Sequence, residues 1–373
     1  MSVFYNMAAT PPPPSPSTDD FIQFIEPVNN IGNQLAQLLG GVNQSVQQEA
    51  FFQMLRYKNR KARVLKNRIA NNFSGKVYLT DHIFHAVQYK PPGAQIEFFN
   101  MTKAPEIFHN SVVVLNNNNV MTDGNLNKYI QLYLNSESSV FVIWDFDNHH
   151  WLALSSVLAA TSDLYVPSHS DNLDPLSKFN NIMAGPIGAG TIQWTREFLE
   201  NNVDIIKNNF RSNDPLGTHI EYPQFINRQK ILQILHQNLK NVKLVDGSYH
   251  DRDINDRFNE WCSHKAHWIV PVQNDTPIRI FDALITGGIP IIPRSLKYHK
   301  YVVDLWDHVL FYNYEDIYNP LPITEKANNL FDERGIQGML DRHSKVLYNY
   351  HVDNKVESIL KAVNDEYGIP GLV

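Results

Sequence analysis

Between Trp268 and Pro293 the chain reads WIVPV, QNDT, PIRIFDALITGG and IPIIP, and few folds accept that order. An apolar run of strand length, a Thr-Pro helix start, an apolar-periodic helix stopped by Gly287 and Gly288, and a second apolar run predict one β-α-β unit. Thr276 is expected at the N-cap and Pro277 at the first helical position. Ile280, Phe281, Leu284 and Ile285 recur at helical spacing, so one helix face packs on a sheet. The flanking strands are apolar at successive positions, as a parallel sheet covered on both faces requires. The start of such a helix presents free N–H groups and a positive dipole end beyond the strand's carboxyl terminus, a setting that favours phosphate. Asp282 is the one carboxylate inside the helix, about a turn past that end. Two readings stay open for it: acceptor for the two hydroxyls of a ribose, or i,i+3 ion pair with Arg279 on a solvated face.

TPIRIFDALITGGIPIIP also resembles the nucleotide-sugar-binding signature of GT-B glycosyltransferases, in particular the exostosin-like pattern of Arg, two apolar residues, an acid, Ala-Leu, then Gly, apolar, Pro. The likeness covers only this segment. It implies two Rossmann-like α/β domains facing across a cleft, with a nucleotide-sugar co-substrate, no other cofactor and no obligatory metal. By the same resemblance the donor lies against Asn274, Asp275, Thr276, Pro277, Ile278, Arg279 and Asp282. Arg228, near the start of its own helix, matches a basic residue often set against the diphosphate; a plain surface arginine is the other reading. Gly188, in the glycine-rich turn GPIGAG, is where backbone could approach a substrate closely.

A chain of 373 residues exceeds what one core usually fills, so two domains are expected. Residues 1–20, rich in proline and serine, are excluded from the fold. Residues 21–166 form the first domain, entered through an amphipathic helix at Phe21–Leu39 and a second helix from Gln47. Residues 167–330 form the second domain, and 331–373 a helical tail that packs back on the first. In the first half KVYLT, QIEFF, SVVVL, VFVIW and DLYV alternate with helical stretches, a doubly wound parallel pattern. The second half repeats the alternation through THIEY, FINRQKILQILHQN, VKLVD and DINDRFNEWCSH. SHSDNLDPLSKFN has loop composition and is expected at the crossing between domains.

DFDNHHW follows VFVIW directly and puts Asp145, Asp147, His149 and His150 at a strand's carboxyl end, where open α/β sheets bind ligands. Attack by a hydroxyl needs a base within hydrogen-bond reach, and a carboxylate or a carboxylate-oriented imidazole supplies one. The bland alternative is that Asp147 or Asn148 caps the next helix while one histidine is buried and hydrogen-bonded. Many retaining GT-B enzymes place a second acid upstream of the ribose-binding one; here that place falls on Asn274, so the reading leans to inversion with the base on the acceptor side.

Net charge of −6 and one cysteine, Cys262, argue against nucleic acid as a default partner and against an intrachain disulfide or a cysteine-held zinc. A cytoplasmic protein, at most resting on the inner face of a membrane, is expected. Arg56, Lys58, Arg60, Lys61, Arg63, Lys66 and Arg68 form a basic run. A solvated helix face and a contact with an anionic lipid surface or acceptor both fit it. The sequence thus leads to a glycosyltransferase that moves sugar to a hydroxyl of a glycan or similar acceptor. Its rivals are a sugar-nucleotide epimerase, a non-catalytic nucleotide-sugar binder, and a structural protein docked to membrane through the basic helix.

Overall fold

A computed structural model of the protein describes residues 44–121 and 125–373. The proline-rich segment and the helix expected at Phe21–Leu39 lie outside the described residues. Five parallel strands form the first sheet: β1 (Lys76–Thr80), β2 (Gln95–Phe99), β3 (Val112–Asn116), β4 (Val140–Asp145) and β5 (Leu164–Pro167), in the order β2-β1-β3-β4-β5. Helices α1 (Gln44–Asn72), α2 (Asn125–Asn135) and α3 (Leu152–Ala160) cover it. The two-residue period of a strand sorts the central side chains between the two faces. Val112, Val114, Val140, Val142 and Trp144 enter one core, and Val113, Leu115, Phe141 and Ile143 the other. Apolar runs without alternation are what two covered faces require, so this mixed α/β architecture with its parallel sheet is compatible with a Rossmann-like fold.

In the second half, β6 (Gly217–Ile220) pairs with β7 (Val242–Val245), and β8 (Ala266–Trp268), β9 (Ile289–Pro293) and β10 (Leu310–Tyr312) form a parallel trio. A bridge between Leu216 and His267 joins the two groups, with Leu216 N–H donating to Ala266 O at 2.9 Å and Trp268 N–H to Leu216 O at 2.8 Å. The combined order is β7-β6-β8-β9-β10, the same permutation as in the first sheet. Around it pack α4 (Ile226–Asn238), α5 (Ile254–Cys262), α6 (Ile278–Ile285) and α7 (Leu321–Asn349), the last broken at Gly335, whose φ of 53° and ψ of −151° no helix contains. Finally α8 (Val352–Tyr367) leaves the second core and buries Val352, Val356, Ile359, Leu360 and Val363 in the first.

Side-chain packing puts the changes of core later than the sequence suggested. Ile182, Ala184, Ile187, Ala189 and Ile192 still pack on the first core, and Trp194 begins the second, so the crossing lies near residue 192 and not at 167. The residues expected to form only a loop there include a short helix, Leu173–Ser177. The return begins at Val352 and not at 331, because Phe331, Met339, Val346 and Leu347 of α7 are claimed by the second core.

On α1 the positions spaced for burial are Lys58, Lys61, Leu65 and Ile69, so two of the seven basic residues face inward. Lys58 Nζ donates to Ala159 O (3.2 Å) and Phe179 O (3.4 Å). Lys61 Nζ pairs with Asp163 Oδ2 at 2.7 Å over the rings of Tyr133 and Phe141. Asp163 also accepts from Phe141 N–H (2.8 Å) and Tyr133 O–H (3.2 Å). Arg56, Arg60, Arg63, Lys66 and Arg68 remain outward. Among the described residues no helix is long and apolar enough to cross a membrane. Removing one member of a buried pair strands the other, at a cost of about 3–5 kcal/mol. Asp163→Ala should lower stability to urea by that order, whereas Arg63→Ala on the same helix should leave the unfolding midpoint nearly unchanged.

Candidate functional site

β4 carries the chain to its carboxyl end and delivers Asp145, which is 1% exposed. One of its oxygens accepts from Tyr165 O–H at 2.6 Å and the other from Asp147 N–H at 2.9 Å. Asp145 therefore builds the turn and is not open as a base. Burial holds its pKa above the usual carboxylate range despite those hydrogen bonds. Asp147 stands further out. Asn117 Nδ2 donates to its Oδ2 at 2.6 Å, and His150 Nε2 lies 3.8 Å from its Oδ1. Burial pushes Asp147 up to about 6, with the Asn117 hydrogen bond opposing and the Asp145 charge adding.

His150 Nδ1 and His149 Nε2 are 2.7 Å apart, and the His149 ring lies 4.3 Å from that of His169. Burial first, then the neighbouring imidazoles, lowers His149 to about 2 and His150 to about 4, so both are neutral at pH 7. Asn148 caps no helix. Its amide donates to the carbonyls of His169 and Asp171 and its oxygen accepts from Ser168 and His169 N–H, pinning the next loop against the histidines. α3 starts after Trp151 without a side-chain cap. Among the described residues no group of three or more His, Cys, Asp or Glu side chains is arranged to hold a metal ion.

The stretch Val272–Arg279 from the second sheet meets this loop. His149 reaches the backbone of Val272, and Ile278 packs against the first core. Thr276 does not cap α6: its Oγ1 is 2.9 Å from His299 Nδ1, the N-cap is Pro277, and the helix begins at Ile278. Asn274 is exposed, with Nδ2 3.5 Å from His299 Nε2. Asp275 keeps a buried Oδ1 without a hydrogen-bond partner. Burial raises its pKa to about 7; the Arg228 charge opposes this, and the Asp147 charge reinforces it from across the junction.

Arg228 is fixed at the point where the order of the second sheet reverses, between β6 and β8. Its Nε donates to Val270 O (3.1 Å) and its Nη1 to Ile220 O (2.7 Å), while its guanidinium lies over Tyr222. It is buried rather than a surface arginine, and burial together with Arg279 lowers it to about 10. Arg279 makes no ion pair with Asp282, which removes the solvated-face reading of that pair. Burial lowers its pKa, and Tyr249, Tyr222, Asp282 and Asp275 act to keep it charged.

Asp282 departs from its expected role as well. It is 0% exposed; its Oδ1 accepts from Thr191 Oγ1 at 2.9 Å and its Oδ2 from Gln193 Nε2. A ribose would have to displace both, so in this structure Asp282 ties α6 to the crossing segment. Burial raises it to about 7 against those hydrogen bonds. Gly188 is also elsewhere: a Cβ there would come 2.6 Å from the Tyr301 ring, so it serves close packing of the crossing segment on the second half. The sequence reading missed Asn117, His169, His299, Thr191 and Gln193. Asn117 had a signal, since it directly follows β3 at the same sheet end as Asp147; the others are joined only by long-range contacts.

Because burial disfavours ionised Asp275 in the fold, the stability it contributes is whole below its unfolded pKa and is lost as pH rises through about 7. Asp275→Asn copies the protonated carboxyl. It should match the unsubstituted protein near pH 3 and exceed it at pH 8 by on the order of 4 kcal/mol in urea unfolding. In comparisons with known proteins, this chain matches no protein-family model and no curated protein sequence.

Proposed function

We propose that the protein is a glycosyltransferase built as two Rossmann-like halves of GT-B type, transferring sugar from a nucleotide-sugar to a hydroxyl acceptor. The observation that carries this reading is the meeting of the two stretches: Asp147, His149 and His150 from one parallel sheet lie against Val272–Arg279 from another sheet of the same strand order. Carboxyl ends of parallel strands are where such sheets bind ligands, and a junction between two of them can hold donor and acceptor together.

In this proposal the donor diphosphate lies at the β6/β8 reversal. Arg279, the part of Arg228 not bound to carbonyls, and the first amides of α6 meet the charge that develops as the sugar departs. A buried guanidinium already fixed by carbonyls costs little to reorganise during the reaction. Asp147, raised to about 6, has a basicity near the operating pH and is the proposed base, with His150 beside it to hold it in place; His149 and His150, at about 2 and about 4, stay neutral. A base on the first half, opposite the donor, corresponds to inversion. The ribose contact expected of Asp282 is not part of the proposal, since its carboxylate holds Thr191 and Gln193.

Calorimetry with UDP, GDP and CMP tests donor binding. At least one should bind, and Arg279→Ala should weaken it tenfold or more, about 1.4 kcal/mol; no binding by any of the three would overturn the reading. With a donor in hand, His150→Ala and Asp147→Asn should each reduce kcat by about 10²–10⁴ with nucleotide affinity intact. Conversion of the donor sugar without any acceptor would identify an epimerase, and nucleotide binding without turnover a non-catalytic binder.

A further inference from the structure

At the opposite end of the second sheet, beneath the turn Thr286–Gly288 that leads into β9, buried cationic side chains collect without a matching acid. Arg342 is 0% exposed; its Nε donates to Gly287 O at 2.9 Å, but Nη1 and Nη2 have no hydrogen-bond partner. Arg211 donates to the carbonyls of His264, Ile206 and Thr286 and keeps an unpartnered Nε. Both guanidiniums lie over the Phe331 ring, at 5.4 and 5.5 Å. His267 stacks flat on Trp261 close to both arginines.

The simplest account is that the arginines cap the carboxyl end of α6. A helix end offers only about half a negative charge, against two guanidiniums. No carboxylate lies within ion-pair distance of Arg211 or Arg342 among the described residues. Asp341 acts on Arg342 from an exposed position, and the neighbouring Cys262 thiol is pushed by burial up to about 12, so it brings no charge. Arg334 adds more positive charge. Buried charge of one sign with free donors calls for a counter-ion.

We propose that this end of the second sheet is an anion site, in which a small inorganic monoanion of halide size is held by Nη1 and Nη2 of Arg342 beside Arg211. The full burial of Arg342 favours a small ion. Gly288 and Gly338 pack close to the cluster, since a Cβ at Gly288 would lie 2.3 Å from His267 Nε2 and one at Gly338 3.3 Å from Arg342 Nη1. The ion neutralises the cluster and fixes the turn between α6 and β9. It thereby stabilises the element that carries Arg279 without touching any nucleotide.

Thermal unfolding at constant ionic strength, with sodium chloride exchanged for sodium gluconate, tests the site. Tm should rise with chloride and saturate, by about 3–5 °C once chloride exceeds its dissociation constant a hundredfold. Arg342→Gln should abolish the chloride dependence. Superimposable curves in the two salts would overturn the proposal and leave buried water only. Should Arg342→Gln fail to fold, bromide-soaked crystals of the unsubstituted protein decide: an anomalous peak on Arg342 Nη1 and Nη2 supports the site, and its absence overturns it.

Discussion

The chain passes between its two halves twice, and the two passages are hydrogen-bonded to each other. Thr191 N–H donates to Tyr350 O at 2.9 Å, and Val352 N–H donates to Thr191 O at 3.0 Å. The same threonine uses its hydroxyl on Asp282, and His351 next to it hydrogen-bonds Trp194 O through Nε2 at 2.9 Å. Asp353 completes the knot by accepting from the N–H groups of Gln88 and Tyr89. Burying so many main-chain polar groups at a crossing is tolerated only because each finds a partner. The position of α6, and with it the encounter of Val272–Arg279 with the histidines, is fixed through these few bonds.

Seen this way, the acidic residue of the nucleotide-sugar-like segment is a structural tie, and the reason was invisible in the sequence. Spacing within α6 put Asp282 on a helix with Arg279, but Thr191 and Gln193 lie far away in the chain and carry no local pattern. The strands were legible because both faces of each sheet are covered, which leaves apolar runs such as VVVL and VFVIW without alternation. The carboxyl end of β4 was legible for the same reason, since the run stops at DFDNHH. The basic run misled in part: Lys58 and Lys61 occupy the inward helical positions that usually carry leucine, and only Asp163, delivered after α3, explains the second of them. His169 and His299 come to the junction from loops whose composition marks them only as loops.

Buried charge is handled differently at the two ends of the second sheet. At the carboxyl ends, Asp275 sits with Arg228 and Arg279, and burial moves its proton affinity to near neutrality. At the amino ends, Arg211 and Arg342 have carbonyls for company and no carboxylate. One helix, α6, has its amino terminus in the first environment and its carboxyl terminus in the second, so its dipole runs along the line that joins them.

The return of α8 to the first sheet sets an order on how the molecule is made. Translation delivers β1 to β5 long before Val352, so the apolar face that Val356, Ile359 and Leu360 later cover stays wet while the whole second half is synthesised. At about 5–20 residues per second that interval is many seconds. The second core, made of one continuous stretch, can close as it emerges; the first must wait for residues near 367 to leave the ribosome. A nascent chain stalled before α8 would therefore expose a ready target for chaperones on its first half alone.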